Sequence, residues 1–107
     1  MRVSFDPAAR DELDRIIAWI AKDNPRAALA LLERIEAKVN QLAMPELVHM
    51  GRPGTVQGTR ELIERPYIII YKVFEHFGEV VVLSIVYIEA KFKRRQVIGL
   101  LAGASRG

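Results

Sequence analysis

At 107 residues, with no cysteine and a formal net charge of +3, the chain is long enough for one modest hydrophobic core and too short for two domains. The lack of cysteine excludes disulfide bonds, thiolate metal sites and a cysteine nucleophile. No run approaches the roughly 18 apolar residues of a transmembrane helix, and the N-terminus has no signal-peptide-like stretch. We therefore expect a cytoplasmic protein with no membrane partner.

The charge is unevenly distributed along the chain. Residues 1–50 carry seven Lys/Arg and eight Asp/Glu, whereas residues 51–107 carry nine and five. The positive excess lies in the half that holds an arginine-bearing Gly/Pro loop and the KFKRR run at 91–95. Such asymmetry indicates an anionic partner, usually nucleic acid, although a solvated basic face would give the same pattern.

The N-terminal half has the pattern of a strand followed by two helices. Val3 and Phe5 alternate with polar residues, as in a short strand. Asp6-Pro7 and Asn24-Pro25 each combine an N-cap side chain with a proline at the first helical position. Each pair precedes an apolar stripe with helical spacing. The stripes are Leu13, Ile16, Ile17 and Ile20, and then Ala28, Leu32, Ile35, Val39 and Leu42. Because only a tight turn separates the helices, an antiparallel hairpin is predicted.

The second half is predicted to form an antiparallel β-meander. Residues 45–58 carry two prolines and three glycines, which is typical of a loop. Strands are predicted at about 59–64, 67–75 and 80–88. The last two are joined by a short link through His76, Phe77 and Gly78. With the helical hairpin packed on this sheet, the predicted fold class is α+β, in a single domain spanning residues 1–107.

Both faces of the last two strands are mostly apolar. In the strand at 67–75, alternation separates Tyr67, Ile69, Tyr71 and Val73 from Ile68, Ile70, Lys72 and Phe74. In the strand at 80–88, it separates Val81, Leu83, Ile85 and Tyr87 from Val80, Val82, Ser84, Val86 and Ile88. The helical hairpin can cover only one face. The other face is predicted to be covered by the apolar tail at 97–107, by a second copy or by a different protein.

No group of residues matches an enzymatic signature. His49 and His76 are too few for a metal site, so neither a metal nor another cofactor is expected. We expect His49 to have a structural role. Glu61 and Glu64 are expected on opposite faces of a strand, which argues against an acid pair.

The remaining chemistry-bearing groups are the arginines, lysines and tyrosines of the second half. Cleavage of RNA by attack of the 2′-OH needs a base, an acid and cations near the phosphate, and can proceed without a metal. The candidates for these roles are Arg60, Arg65, Tyr87 and Lys91. Tyr67 and Tyr71 could stack on an unpaired base or be ordinary core or interface aromatics.

The sequences GTREL (58–62), PYIIIYKV (66–73) and SIVYIEAKF (84–92) follow the predicted helical hairpin. In this order they resemble the RelE/ParE superfamily, the toxins of bacterial type II toxin–antitoxin modules. The resemblance covers roughly residues 2–95. It implies a small toxin encoded beside an antitoxin that holds it inactive, with which it could form a hetero-oligomer. The predicted antitoxin-binding residues are Ile68, Ile70, Val97, Ile98, Leu100 and Leu101.

The resemblance implies one of two targets. RelE-like members cleave mRNA inside the ribosome, with a loop arginine and a C-terminal Tyr or His, to which Arg60 and Tyr87 correspond. The position after Tyr67, often arginine in these ribonucleases, is Ile68 here. ParE-like members instead inhibit DNA gyrase without catalysis. The long helical hairpin and the PYIIIY strand are closer to ParE.

We therefore expect a gyrase-binding toxin, with a ribosome-dependent mRNA endonuclease as the alternative. Further alternatives are a non-toxic basic domain that binds nucleic acid and an inert toxin that still binds its antitoxin. Arg60 could also be structural, paired with a carboxylate or a carbonyl within the meander. The predicted target-binding residues are Arg52, Arg60, Arg65, Lys91, Lys93, Arg94 and Arg95.

Overall fold

The computed structural model describes residues 1–89, so predictions about residues 90–107 lie outside it. In chain order the elements are β1 (Arg2–Phe5), α1 (Pro7–Ala21), α2 (Pro25–Gln41), β2 (Arg52–Pro53), β3 (Arg60–Glu64), β4 (Tyr67–Phe74) and β5 (Glu79–Tyr87). Short 3₁₀ turns occupy Pro45–Leu47 and Glu75–Phe77. The two helices pack on one face of a five-stranded sheet of order β1-β5-β4-β3-β2. The predicted α+β fold class is confirmed. Within residues 1–89, neither helix is long and apolar enough to cross a membrane.

Both helices begin at the predicted caps. The Asp6 carboxylate accepts a hydrogen bond from the main-chain N–H of Ala8 at 3.0 Å. The Asn24 side-chain oxygen accepts one from the N–H of Ala27 at 3.1 Å. A proline follows each cap at the first helical position, where its missing N–H would have had no helical partner. Since only residues 22–24 separate the helices, the chain reverses direction and the predicted hairpin forms.

The core lies between the helices and the sheet. Leu13 of α1 and Ile35 of α2 are fully buried there, as their stripes predict. On α2 the buried stripe is wider than predicted. Leu31, which the predicted stripe omits, is buried, and Leu32, which the stripe includes, is partly buried against the core. The reason is that α2 packs against both α1 and the sheet, so a broader arc of the helix leaves the solvent.

The predicted meander is confirmed, and two edge strands extend it. Strands β3, β4 and β5 pair antiparallel. The predicted N-terminal strand, β1, pairs in parallel with β5, with Val3 opposite Val80, and makes the sheet mixed. Strand β2 lies inside the segment predicted to be a loop and pairs with β3 over two residues. Two residues are too few to show a strand periodicity.

The faces predicted for β5 are wrong beyond Val82. Tyr71 lies opposite Val82, whereas the preceding Ile70 lies opposite Ser84, so β5 contains one extra residue. Such a β-bulge reverses the alternation of side chains. Ile85 therefore joins the core on the helix side instead of pointing to the opposite face.

We expect Ile35→Ala to lower the free energy of unfolding by about 2–5 kcal/mol, because it leaves a cavity among packed side chains. Leu29→Ala is the matched control, since Leu29 lies on the same helix but is 56% exposed. It should change stability by less than about 0.5 kcal/mol. Urea denaturation of both variants measures the difference. Equal effects would mean that α2 presents another face to the sheet.

Candidate functional site

The Gly/Pro loop before β3 is fastened to the sheet by Arg60. The Nη2 of Arg60 donates to the main-chain oxygen of His49 at 2.9 Å and to that of Gly51. The side chain is partly buried on the helix side of the sheet, opposite Tyr71. Arg60 thus pairs with carbonyls, as its structural alternative allows, but with those of the preceding loop rather than within the meander. Its predicted role in catalysis or target binding stays a prediction.

Tyr71 fastens the same loop from inside the core. Its hydroxyl donates to the main-chain oxygen of Val48 at 2.8 Å and accepts from the N–H of Gly51 at 3.1 Å. The ring is fully buried. The possibility that Tyr71 stacks on a nucleic-acid base is therefore wrong, because its ring fills the core and its hydroxyl satisfies two buried main-chain groups.

Gly51 allows the close approach between loop and sheet. A Cβ atom at this position would lie 2.8 Å from both the main-chain oxygen of Glu61 and the hydroxyl of Tyr71. Any larger residue at position 51 would push the loop away from the side chains of Tyr71 and Arg60, which hydrogen-bond to it.

Glu61 is a buried carboxylate that binds the loop from the other face of the sheet. Its Oε1 lies 3.3 Å from the Nε of Arg52, and its Oε2 accepts from the N–H of Thr55 at 3.2 Å. Glu64 points instead to α2, where its Oε1 lies 3.1 Å from the Nε of Arg34. The two carboxylates lie on opposite faces, as predicted. Each is bound to an arginine.

The predicted target-binding arginines occupy three different environments. Arg60 is bound to carbonyls, and Arg52 is exposed but paired with Glu61. Arg65 is exposed in the turn between β3 and β4, at the end of β3 remote from Arg60. The other four predicted target-binding residues, Lys91, Lys93, Arg94 and Arg95, lie outside the described residues.

Arg60 and Tyr87, the two predicted catalytic residues, lie far apart on the sheet. Arg60 pairs with Tyr71, and Tyr87 pairs with Tyr67. Four positions of β4 separate these partners, about 13 Å along the strands, and β3 and β5 are about 10 Å apart across the sheet. Groups that act on one phosphate must all come within hydrogen-bond reach of it. The structure does not bring these two together.

The predicted antitoxin-binding residues of β4 lie on the sheet face opposite the helices. Ile68 is 3% exposed and Ile70 is partly buried. Ile63, which pairs with Ile68, is exposed. Their role stays a prediction, as does that of Val97, Ile98, Leu100 and Leu101, which lie outside the described residues.

His49 bridges two turns of the chain. Its Nε2 lies 2.8 Å from the Glu75 carboxylate in the turn before β5, while its main-chain oxygen accepts from Arg60. These contacts agree with the structural role predicted for His49. Among residues 1–89, no three His, Cys, Asp or Glu side chains are grouped as metal ligands would be.

A cleft that the sequence did not predict lies between α1 and the ends of β4 and β5. Its volume is about 560 Å³, and its walls include Trp19, Tyr67 and Tyr87. The rings of Tyr67 and Tyr87 meet edge to face, with centroids 5.6 Å apart. We call this the aromatic cleft. Trp19 lies beside the apolar stripe of α1 rather than in it. An aromatic residue outside the buried stripe was the feature of the sequence that could have indicated this cleft.

The family model described as "ParE toxin of type II toxin-antitoxin system, parDE" matches residues 3–89. The chain belongs to the ParE toxin family. The resemblance to the RelE/ParE superfamily is thereby confirmed, and the match spans every helix and strand that the structure describes except the first residue of β1.

Known relatives agree with this assignment. The chain is 42% identical over 74 residues to the candidate toxin Y4kP of Sinorhizobium fredii, which covers 67% of this chain and 75% of that protein. A structure of a chromosomal ParDE TA system from P. aeruginosa is 27% identical, with a TM-score of 0.72, and covers 82% of this chain and 96% of that one. The intact RelBE toxin–antitoxin complex of E. coli is 15% identical, with a TM-score of 0.57, and covers 80% of this chain and 94% of that one. This last likeness shows the fold alone.

We expect Tyr71→Phe to destabilise the protein by about 1–3 kcal/mol, because it removes the hydroxyl that hydrogen-bonds to the carbonyl of Val48 and the N–H of Gly51. Tyr87→Phe is the control, since Tyr87 is 43% exposed, and it should change stability by less than about 0.5 kcal/mol. Denaturant unfolding of the two variants tests this. A neutral Tyr71→Phe would mean that its hydroxyl does not hold the loop.

Burial, and then the neighbouring Tyr87, raise the pKa of Tyr67 above the ordinary value of 10.0. Because the folded protein holds this proton more tightly than the unfolded chain, Tyr67 stabilises the fold below the ordinary pKa. That stability is lost as the pH rises through the raised pKa. The free energy of unfolding of the wild type should therefore fall more steeply than that of Tyr67→Phe between about pH 9 and 12. If the free energies of unfolding of the wild type and Tyr67→Phe fall in parallel with pH, the raised pKa of Tyr67 is contradicted.

Proposed function

We propose that this ParE-family chain is a cytoplasmic toxin that stops growth by binding DNA gyrase rather than by cutting RNA. We propose further that an antitoxin encoded beside it neutralises it. The observation that carries the choice of binding over catalysis is the pair of main-chain carbonyls that engage Arg60.

A ribonuclease of this fold would need the loop arginine at the scissile phosphate. Here the Nη2 of Arg60 already binds the carbonyls of His49 and Gly51, and turning that group to a substrate would break two of the bonds that hold the loop. Tyr87 lies too far away to share a phosphate with it, and Ile68 stands where related ribonucleases often carry a cation. These three observations support a toxin that acts by binding.

Similarity to known proteins supports the same choice. The matching family model is the one for ParE toxins, and the ParDE system of P. aeruginosa has a higher TM-score against this chain than the RelBE complex of E. coli. Both of these solved structures are toxin–antitoxin systems, which supports an antitoxin as the partner of this chain too.

The proposed gyrase-binding surface consists of exposed cations. Arg65 in the β3–β4 turn belongs to it and has no ion pair within residues 1–89. Arg52 is exposed beside the loop that Arg60 fastens. The predicted basic run Lys91, Lys93, Arg94 and Arg95 completes the set. Gyrase acts on DNA, and a cationic surface on the toxin is complementary to the negative charge of a gyrase–DNA complex.

The sheet face opposite the helices is the proposed antitoxin seat. Because Ile68 is buried and Ile70 partly buried, a partner would first meet the exposed Ile63. The apolar tail residues Val97, Ile98, Leu100 and Leu101 are the other proposed contacts.

The purified protein should inhibit supercoiling by purified gyrase and leave mRNA intact in a translating extract. Arg65→Ala should raise the concentration needed for half-inhibition about tenfold, a change of about 1.4 kcal/mol. Arg26→Ala, which removes an exposed arginine from α2, and Tyr87→Phe should leave it unchanged.

The outcomes separate the alternatives. Cleaved mRNA with unaffected gyrase would contradict the proposal and establish the RelE-like endonuclease. A third outcome is that inhibition of gyrase parallels binding of the protein to DNA, and that added salt abolishes it equally for the wild type and every variant. This would indicate a basic nucleic-acid-binding domain instead.

A further inference from the structure

The aromatic cleft has no part in the surfaces assigned so far. Trp19, the only tryptophan of the chain, is 70% exposed at its rim. Tyr67 and Tyr87 form the opposite wall. A tryptophan left this exposed keeps a large apolar area in water. Exposed apolar groups gathered around a concave site mark docking surfaces.

The composition of the cleft is that of a protein–protein hot spot. Trp, Tyr and Arg are the side chains that dominate binding energy at interfaces, and the cleft has all three, since Arg15 also lines it. With Trp19 so exposed, the cleft is an open surface. It suits an extended or helical chain segment better than an enclosed small molecule.

The charges around the cleft select an acidic partner. The carboxylate of Glu12 accepts from the Ser84 hydroxyl, at 3.1 Å to Oε1 and 3.0 Å to Oε2, so it is turned toward the sheet. The ammonium of Lys22 lies 5.2 Å from the centre of the Trp19 ring. No ion pair within residues 1–89 engages Arg15 or Lys22. The rim therefore offers two cations for carboxylates.

The position of the cleft selects which acidic partner. Arg65, part of the proposed gyrase-binding surface, lies in the turn just before Tyr67. A segment seated against Tyr67 and Tyr87 would also cover that arginine. A partner that both binds the toxin and blocks its target surface has the effect expected of an antitoxin.

We propose that the aromatic cleft binds an acidic amphipathic segment of the antitoxin. An apolar side chain of the segment enters between Trp19 and Tyr87, and flanking carboxylates meet Arg15 and Lys22. This contact is separate from the seat proposed on the opposite face of the sheet. It rests on the proposed antitoxin partnership and is independent of whether gyrase is the target.

The single tryptophan gives a site-specific signal. Titration of the toxin with the purified product of the adjacent antitoxin gene should shift the emission of Trp19 to shorter wavelengths, because the indole leaves water. By calorimetry, Trp19→Ser and Arg15→Glu should each weaken antitoxin binding about 30-fold. Leu29→Ser is the matched control on α2, where the exposed Leu29 lies outside the cleft, and should bind as the wild type does.

Growth assays complete the test. Trp19→Ser should still stop growth when expressed alone and should escape neutralisation by the co-expressed antitoxin. Unchanged antitoxin affinity in Trp19→Ser and Arg15→Glu would overturn the inference. A variant that binds antitoxin normally but no longer inhibits gyrase would assign the cleft to the target. Self-association of the wild type that Trp19→Ser abolishes, with antitoxin affinity unchanged, would assign it to a second copy.

Failure of the proposed function gives a different result. If the wild type does not inhibit gyrase but the cleft variants lose antitoxin affinity as expected, the gyrase proposal fails and the inference about the cleft stands.

Discussion

The segment between α2 and β3 is held to the sheet by hydrogen bonds from its main chain to two side chains, and these bonds position Arg52, the exposed cation that follows Gly51. Tyr71, buried in β4, binds Val48 and Gly51 at once. Arg60, at the start of β3, binds the carbonyls of His49 and Gly51. The two bonds of Tyr71 are buried, whereas those of Arg60 lie nearer the surface, so the bonds of Tyr71 are the more costly to break. The loop is consequently a fixed part of the sheet edge rather than a mobile arm.

Under the proposed function, these bonds give the loop arginine of the superfamily a structural role in this chain. The Nη2 of Arg60 is occupied by two loop carbonyls, and the proposed gyrase-binding surface is therefore built around the exposed Arg52 and Arg65. Arg65 and the aromatic cleft lie together at the other end of β3 and β4. One partner can therefore cover both, and on the two proposals made above a bound antitoxin would also block the target-binding arginine.

Local chemistry made much of the fold predictable. Asp6 and Asn24 cap their helices because the cap depends on residues only two or three positions away. The β-bulge in β5, the two-residue strand β2 and the partners of Arg60 could not be predicted, since each depends on contact with a segment distant in sequence. The alternative that Arg60 pairs with a carbonyl followed from the sequence, but the choice between that role and catalysis needed the loop geometry. The aromatic cleft was missed because it joins α1 to strands more than 40 residues away.

The most direct test of the central claim is to induce this chain alone in growing bacteria and map new mRNA 5′ ends at once, beside a strain that carries Tyr87→Phe. A toxin that binds without cutting should stop growth, induce the DNA-damage response and leave mRNA ends unchanged in both strains. New 5′ ends in phase with codons, present in the wild type and absent from Tyr87→Phe, would contradict the account. They would show that Tyr87 acts on RNA despite its separation from Arg60 in this structure.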